Sequence, residues 1–373
     1  MPFDEVNTLL PQVSRLKPTH PRKNMMNFYN QAHEFYCGID LHANSMHVCV
    51  VDQHGKKHLH RNFDTKKPER FVVALKPFFE RDLVIGCEST FNWYWLADLC
   101  HGRNLRFLLG HALYLKAIHG GKTKSDRIDS EKLAMLLRGG NFPTSYVYPK
   151  QMRGTRDLLR RRGTIVRRRS ATLVHVQIVN HQQNLPAFEK KISYKANRKG
   201  VAERFDGESV QKMIDIDIRL INYYDQLIQH LDLYLEQHAK VDDADSFYRL
   251  KSIPGVGRIL AMTMLYEIHD IRRFGKVGDF LSYARLVKGT NSSAGKQYKP
   301  TGAKIGNPHL KWAFSEAITL LKRECPAAKE FTERIEKQHN KARANSLLAI
   351  KLGRAVYWML NRKTAFDPKV FIK

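Results

Sequence analysis

The stretch 122–138, KTKSDRIDSEKLAMLLR, sets two carboxylates, Asp126 and Asp129, three residues apart at the head of a segment whose apolar residues Ile128, Leu133, Leu136 and Leu137 recur at helical spacing. Side chains three apart share a helix face, with Cβ atoms about 5–6 Å from one another. Like charges held that close repel, so the pair persists when solvated, protonated, met by hydrogen-bond donors or neutralised by a cation. A divalent ion with oxygen ligands is the answer that would do chemistry. The alternative is a pair of first-turn acids favoured by the helix dipole and flanked by Lys124 and Arg127.

The elements before this helix decide what the pair can meet. YCGIDLH (36–42), MHVCVVD (46–52) and HLHRNFD (58–64) read as three antiparallel strands, the last two joined by a hairpin. An amphipathic helix (68–80), a buried strand DLVIGCE (82–88), a helix through Trp93 and Leu99, a strand LRFLLG (105–110) and the acid-bearing helix follow. The order βββαβαβα predicts an α/β domain with a mixed sheet, an antiparallel hairpin leading into parallel crossover units. Asp40 closes the first apolar strand and Glu88 ends the central buried one, and ligand sites gather at strand ends in α/β sheets. With the first and fourth strands as neighbours, Asp40 and Glu88 stand side by side, facing the helix of Asp126 and Asp129. Taken singly, Asp40 fits a turn and Glu88 fits a helix cap. Four acids converging in a basic chain point instead to a two-metal site.

The 373 residues carry 63 Lys and Arg against 36 Asp and Glu, a formal charge of +27 that calls for a polyanionic partner. Nucleic acid is favoured over membrane, because no apolar run of about 18 residues and no signal-peptide pattern is present. The five cysteines form no CxxC pair and the seventeen histidines show neither HExxH nor finger spacing, so a reduced, cytoplasmic protein without a zinc site is expected. His175 and His181 read as surface or phosphate-facing. Residues 1–33 lack periodicity and read as an extension of low order.

The middle of the chain reads as helical. From 152 to about 183, Leu159, Val166 and Leu173 recur every seven residues, while Arg160, Arg161, Arg162, Arg167, Arg168 and Arg169 crowd ten positions. A second helix, 209–238, repeats Met213, Leu220 and Leu227. These seams fit either a coiled-coil arm between chains or an antiparallel hairpin within one. The basic link 186–205 reads as a mobile, phosphate-binding loop. Beyond 245 the chain is again mostly helical. SIPGVG (252–257) has the glycine turn of a helix-hairpin-helix, and GTNSSAGKQYKPTGAKIGN (289–307) is a polar loop with Lys296, Lys299 and Lys304, ending before a helix that holds Lys311. A serine among such cations is a candidate nucleophile toward phosphate.

GID (38–40), CEST (87–90) and KSDRIDSEKLA (124–134) resemble the Asp, Glu, Asp and Asp motifs of the DEDD transposases of insertion sequences, the family that includes the Piv invertase. SIPGVG and the run from Ser293 through KIGNPHLK resemble its C-terminal transposase domain. The resemblance implies an RNase-H-like, RuvC-like catalytic domain binding Mg²⁺ or Mn²⁺ through Asp40, Glu88, Asp126 and Asp129, and a nucleophile at Ser293. Lys304, Gly306, Asn307 and Lys311 match the downstream motif. Ala294 stands where glycine is usual and Arg285-Leu286-Val287-Lys288 where Gly-Leu-x-Pro is typical, which leaves Ser292 as a rival.

The expected organisation is a basic extension (1–34), a RuvC-like catalytic domain (35–150), a helical coiled-coil spacer (151–244) and a helical C-terminal domain with the serine loop (245–373). The expected function is RNA-guided recombination: donor and target DNA, a non-coding bridge RNA, a homo-oligomer built as a dimer of dimers, and a cytoplasmic, nucleoid-associated location. The catalytic residues expected are the four acids and Ser293; the nucleic-acid contacts are the six arginines with Lys296, Lys299, Lys304 and Lys311. The alternatives are a metal-dependent nuclease of the Holliday-junction-resolvase type, with water as nucleophile, and a non-enzymatic architectural nucleic-acid-binding protein.

Overall fold

The computed structural model describes residues 28–118, 125–287, 291–293, 296–298 and 305–371, giving backbone alone for 291–293 and 296–298. The first half is built on strands β1 (Phe28–Tyr29), β2 (Phe35–Leu41), β3 (Ser45–Asp52), β4 (Lys57–Asp64), β5 (Leu83–Glu88), β6 (Arg106–Gly110) and β7 (Phe142–Ser145). Helices α1 (Pro68–Leu75), α2 (Tyr94–Gly102), α3 (Ala112–Ile118) and α4 (Asp126–Arg138) connect them. Among the described residues the sheet order is β1-β7-β6-β5-β2-β3-β4. β2, β3 and β4 form an antiparallel meander, β5 and β6 run parallel to β2, and β7 and β1 close the far edge antiparallel.

Alternation along the strands sorts side chains to two faces. Cys37, Ile39, Leu41, Ile85 and Cys87 join Phe71, Leu75, Leu96 and Cys100 of α1 and α2 in one core. Tyr36, Cys49 and Val84 meet Leu133, Ala134 and Leu137 of α4 on the other. On that second face α4 lies almost on the backbone of β2: a Cβ at Gly38 would stand 2.2 Å from Ser130 O and 2.3 Å from Ala134 N. At Gly86 it would meet Leu137 Cδ1 at 2.9 Å. These two glycines are what let the acid-bearing helix seat against the two central strands.

The sheet begins earlier than expected. β1 pairs with β7, and His33, buried, bonds Asp82 through Nδ1 and donates its backbone N–H to the Tyr36 hydroxyl. Residues 28–33 thus belong to the sheet domain rather than to an extension of low order. Neither strand was legible: β1 has two residues and β7 carries Pro143, without alternation in either.

α5 (Lys150–Gln182) and α6 (Glu208–Lys251) pack on each other inside the chain. Their paired residues run in opposite order, Arg162 with Asp232, Arg169 with Asp225, His175 with Asp217, so the hairpin is antiparallel. Ile214 and Ile221 are buried within it, whereas Met213 and Leu220, one position earlier, face outward. Both sets repeat every seven residues, which is why the seam could not be phased from spacing. The link 183–207 is not a free loop. Ile192, Val201 and Phe205 pack under the tip, and Arg198, buried, donates to Asp225, Asn222 and two backbone carbonyls.

α6 breaks at Asp243, whose carboxylate accepts the Ser246 N–H. Beyond it α7 (Arg258–Ile268) packs against α5, α6 and α9 (Pro308–Glu324), in a core shared with α8 (Val277–Tyr283), α10 (Pro326–Gln338), α11 (Lys341–Arg362) and α12 (Pro368–Phe371). An apolar helix without a polar face has to sit inside a bundle. In the turn before α7, Gly255 has φ +79°, and a Cβ there would press on Leu320 at 2.6 Å. Asn291–Ser293 and Lys296–Tyr298 form a two-stranded antiparallel ribbon, β8 and β9, where a loop was expected; Ser293 is opposite Lys296.

Candidate active site

β2 and β5 are parallel neighbours registered to Ile39↔Cys87, so Asp40 and Glu88 follow side by side at the same sheet edge. Asp40 shares its face with Gly38, and Glu88 with Gly86, the face covered by α4. α4 starts where the site needs it, because Ser125 is its N-cap and accepts the Ile128 N–H at 3.3 Å. Asp126 and Asp129 therefore occupy its first turn, above the ends of the strands.

His42 joins them. Its Nε2 lies 3.4 Å from Asp40 Oδ2 and 3.4 Å from Asp126 Oδ1, and these three residues offer ligand atoms all within 4.8 Å of one another. Asp129 lies beside Lys132, Oδ1 to Nζ 3.3 Å. Burial first, and then the charges of Asp126 and Asp129, push the Asp40 carboxyl above its ordinary range; His42 pulls the other way. The cluster thus holds anions that repel one another, with the His42 imidazole and the Lys132 ammonium beside them. A divalent ion would relieve this, and carboxylate oxygens are ligands that suit such hard cations. His42 was not singled out from sequence, yet the signal existed: it follows Asp40 by two residues, and period 2 puts it on the same face.

The arginines of α5 divide into two sets. Arg160 donates to Glu267 (Nε–Oε1 2.6 Å), Arg162 to Asp232 (Nε–Oδ1 2.8 Å) and Arg169 to Asp225. Arg161, Arg167 and Arg168 are exposed. Ser293 and Lys296 lie on β8 and β9, Lys311 is exposed in the first turn of α9, and Lys299 and Lys304 lie outside the described residues. One further residue matters that spacing did not reveal. Glu267 at the end of α7 binds Arg156, Arg160 and Asn307, and Asn307, already marked by the downstream motif, is the N-cap of α9, accepting the His309 and Leu310 N–H groups.

A mixed sheet of this order, with acids at the ends of two parallel neighbours and on a helix laid across them, is compatible with the ribonuclease-H-like class of phosphoryl-transfer enzymes. Residues 37–179 match the DEDD transposase family of the IS110 type, and residues 248–333 match the transposase IS116/IS110/IS902 family. The transposase for insertion sequence element IS1328 of Yersinia enterocolitica is 22% identical over 289 residues, 74% of this chain and 80% of that one. The chain belongs to the IS110-type DEDD transposases of insertion sequences, enzymes that cut and join DNA. No helix among the described residues is long and apolar enough to cross a membrane.

Proposed function

We propose that the chain is an RNA-guided DNA recombinase of an insertion sequence in which Asp40, Glu88, Asp126 and Asp129 hold Mg²⁺ or Mn²⁺ and Ser293 is the nucleophile. What supports the reading is that Asp40 and Asp126 meet beside His42, that β2 and β5 end as neighbours at Asp40 and Glu88, and that Asp129 shares the first turn of α4 with Asp126, in a chain with a net charge of +27. A divalent ion bound there would polarise the scissile phosphate and neutralise charge in the transition state. The chain's own part is to hold the acids rigid against Gly38 and Gly86, to present Ser293 Oγ to phosphorus, and to bind the flanking phosphates. The serine ester so formed conserves the energy of the broken bond for rejoining. Arg161, Arg167 and Arg168, with Lys296, Lys299, Lys304 and Lys311, are the proposed phosphate contacts. The glycine turn before α7 is proposed to approach a phosphate in helix-hairpin-helix fashion.

An organisation into a catalytic domain that takes in residues 28–34 as well as 35–150, a helical spacer (151–244) and a C-terminal domain (245–373) belongs to this reading, as do a bridge RNA that pairs with donor and target DNA and a nucleoid-associated, cytoplasmic place of action. So does a homo-oligomer, a dimer of dimers in which the acids of one chain meet the serine of another. An outward stripe of Met213, Ile216, Leu220 and Tyr223 on α6 supports association through the helical hairpin. A resolvase-type nuclease is favoured by one observation, the His42 imidazole beside Asp40 and Asp126, a group able to take a proton from water.

Asp126→Asn tests the site. It removes a ligand charge and leaves every phosphate-binding cation in place, so cleavage should be lost while nucleic-acid binding, and any RNA that copurifies, remains. Cleavage by this variant at the wild-type rate, or by the wild type in EDTA, would overturn the metal site.

A further inference from the structure

Between β5 and α2 the chain passes through Glu88-Ser89-Thr90-Phe91-Asn92-Trp93, and Phe91 is 82% exposed. A lone exposed apolar side chain needs no explanation on a surface helix. Phe91 is different because the segment that displays it is held at nearly every residue. Ser89 donates its N–H to Gly110 O at 2.9 Å and its Oγ accepts the Ala112 N–H at 3.3 Å. The Thr90 N–H goes back to Glu88 O at 2.8 Å, and its hydroxyl donates to Asn92 Oδ1 at 2.9 Å. Asn92 Nδ2 donates to the backbone carbonyl of His42 at 2.7 Å. On the far side Trp93 is buried, with the Arg153 guanidinium 4.8 Å from its ring. The turn is ordered, and it leaves the ring in water.

The turn is also tied to both halves of the acid cluster. It starts at Glu88, and Asn92 fastens it to His42, the residue 3.4 Å from Asp40 and Asp126. An exposed aromatic ring three residues past Glu88, on a turn bonded to His42, is within a nucleotide's reach of a site that takes the sugar-phosphate chain. Every base has a π-face, and stacking on an aromatic side chain needs no sequence match. Hydrophobic area, rigidity and position agree on this occupant, and the net charge of +27 supplies the backbone attraction that stacking alone lacks.

We infer that Phe91 is a stacking platform for an unpaired nucleobase of the strand whose phosphate lies at the acid cluster. This rests on the reading of that cluster as the cleavage site. The ring holds the strand's register while the phosphate is positioned, and it favours a substrate whose base is unstacked, at a nick, gap or opened duplex, over a continuous helix.

The experiment uses the full chain with single-stranded oligodeoxynucleotides carrying 5-iododeoxyuridine, which crosslinks on irradiation to an aromatic ring stacked against it. The adduct should map to Phe91 and persist in Phe91→Tyr. Phe91→Ala should abolish it and bind the same strand about 5- to 150-fold more weakly, the range expected when one base no longer stacks. Its log–log salt slope should stay that of the wild type, because no cation is removed. An unchanged affinity with crosslinks elsewhere overturns the proposal, as does a Phe91→Ala chain that binds normally but changes its oligomeric state, which would make the ring a contact between copies. Asp126→Asn separates the two readings: it should keep the Phe91 crosslink and lose cutting. If it still cuts while the crosslink forms, the cleavage-site reading fails and the stacking role stands. If cutting is lost and no Phe91 crosslink forms, stacking alone fails.

Discussion

Asn307 donates its side-chain amide to Glu267 at 2.8 Å, tying the N-terminus of α9, just past the serine-bearing segment, to the arginines of α5. Glu267 is 1% exposed, and burial alone would raise its carboxyl pKa. The hydrogen bond from Arg160, the charges of Arg156 and Arg160 and the bond from Asn307 outweigh burial and bring it to about 2. Because the folded value lies below the ordinary one near 4.5, the associated stability is fully present above that pH and is lost as pH falls toward 2. Glu267→Gln leaves the buried guanidinium of Arg156 and the partly exposed one of Arg160 without their anion, and removing one partner of a buried pair costs about 3–5 kcal/mol. Urea unfolding at neutral pH should show that loss, and the variant's stability should change less than the wild type's between pH 5 and pH 3. Equal midpoints at neutral pH would mean the network contributes nothing.

Gly38→Ala examines how α4 is seated. The new methyl would meet backbone atoms of Ser130 and Ala134, which cannot rotate away as a flexible side chain can. Overpacking of this kind costs about 1–3 kcal/mol, and here it also displaces Asp126 and Asp129 from Asp40. The thermal unfolding temperature should fall, and the metal concentration for half-maximal cleavage should rise, while single-strand affinity changes little. A stable variant with wild-type metal dependence would show that the close approach is not what positions the acids.

The arginines of α5 should separate by experiment as they do in space. Exposed Arg161, Arg167 and Arg168, replaced together by alanine, should weaken binding to all sequences alike and reduce the log–log salt slope by about 0.7–0.9 for each phosphate that is no longer neutralised. Arg162→Ala should leave that slope unchanged and lower stability, since its guanidinium holds Asp232 inside the hairpin at 2.8 Å. A slope change of equal size in Arg162→Ala would undo the division.

What spacing could and could not reveal follows from the range of each interaction. Asp126 with Asp129, the strand-end positions of Asp40 and Glu88, and the meander before them are local patterns; the meander and the parallel pair of β2 and β5 are present, and Asp126 comes within ligand reach of Asp40 and His42. Arg160 and Glu267 are 107 residues apart, Arg162 and Asp232 70, and Arg169 and Asp225 56, so three of six arginines looked free for phosphate until the fold supplied their partners. Gly38 and Gly86 were legible as small residues but not as the floor for α4, because the helix that needs the space comes about ninety and fifty residues later. His42 escaped for a different reason: metal-type spacing shows among histidines, whereas its partners are carboxylates.

The most direct measurement is a search for a covalent bond between protein and DNA. Serine is a weak nucleophile at neutral pH, so a bond from Ser293 Oγ to phosphorus has to be demonstrated on the residue itself. A suicide substrate, nicked so that rejoining is impossible, should trap an adduct that survives boiling in detergent, with the phosphate on Ser293 by peptide mapping. Ser293→Ala should lose adduct and recombination, while Ser292→Ala keeps both. If both serine variants cut at the wild-type rate and no adduct forms, water is the nucleophile and the recombinase account gives way to the resolvase-type nuclease.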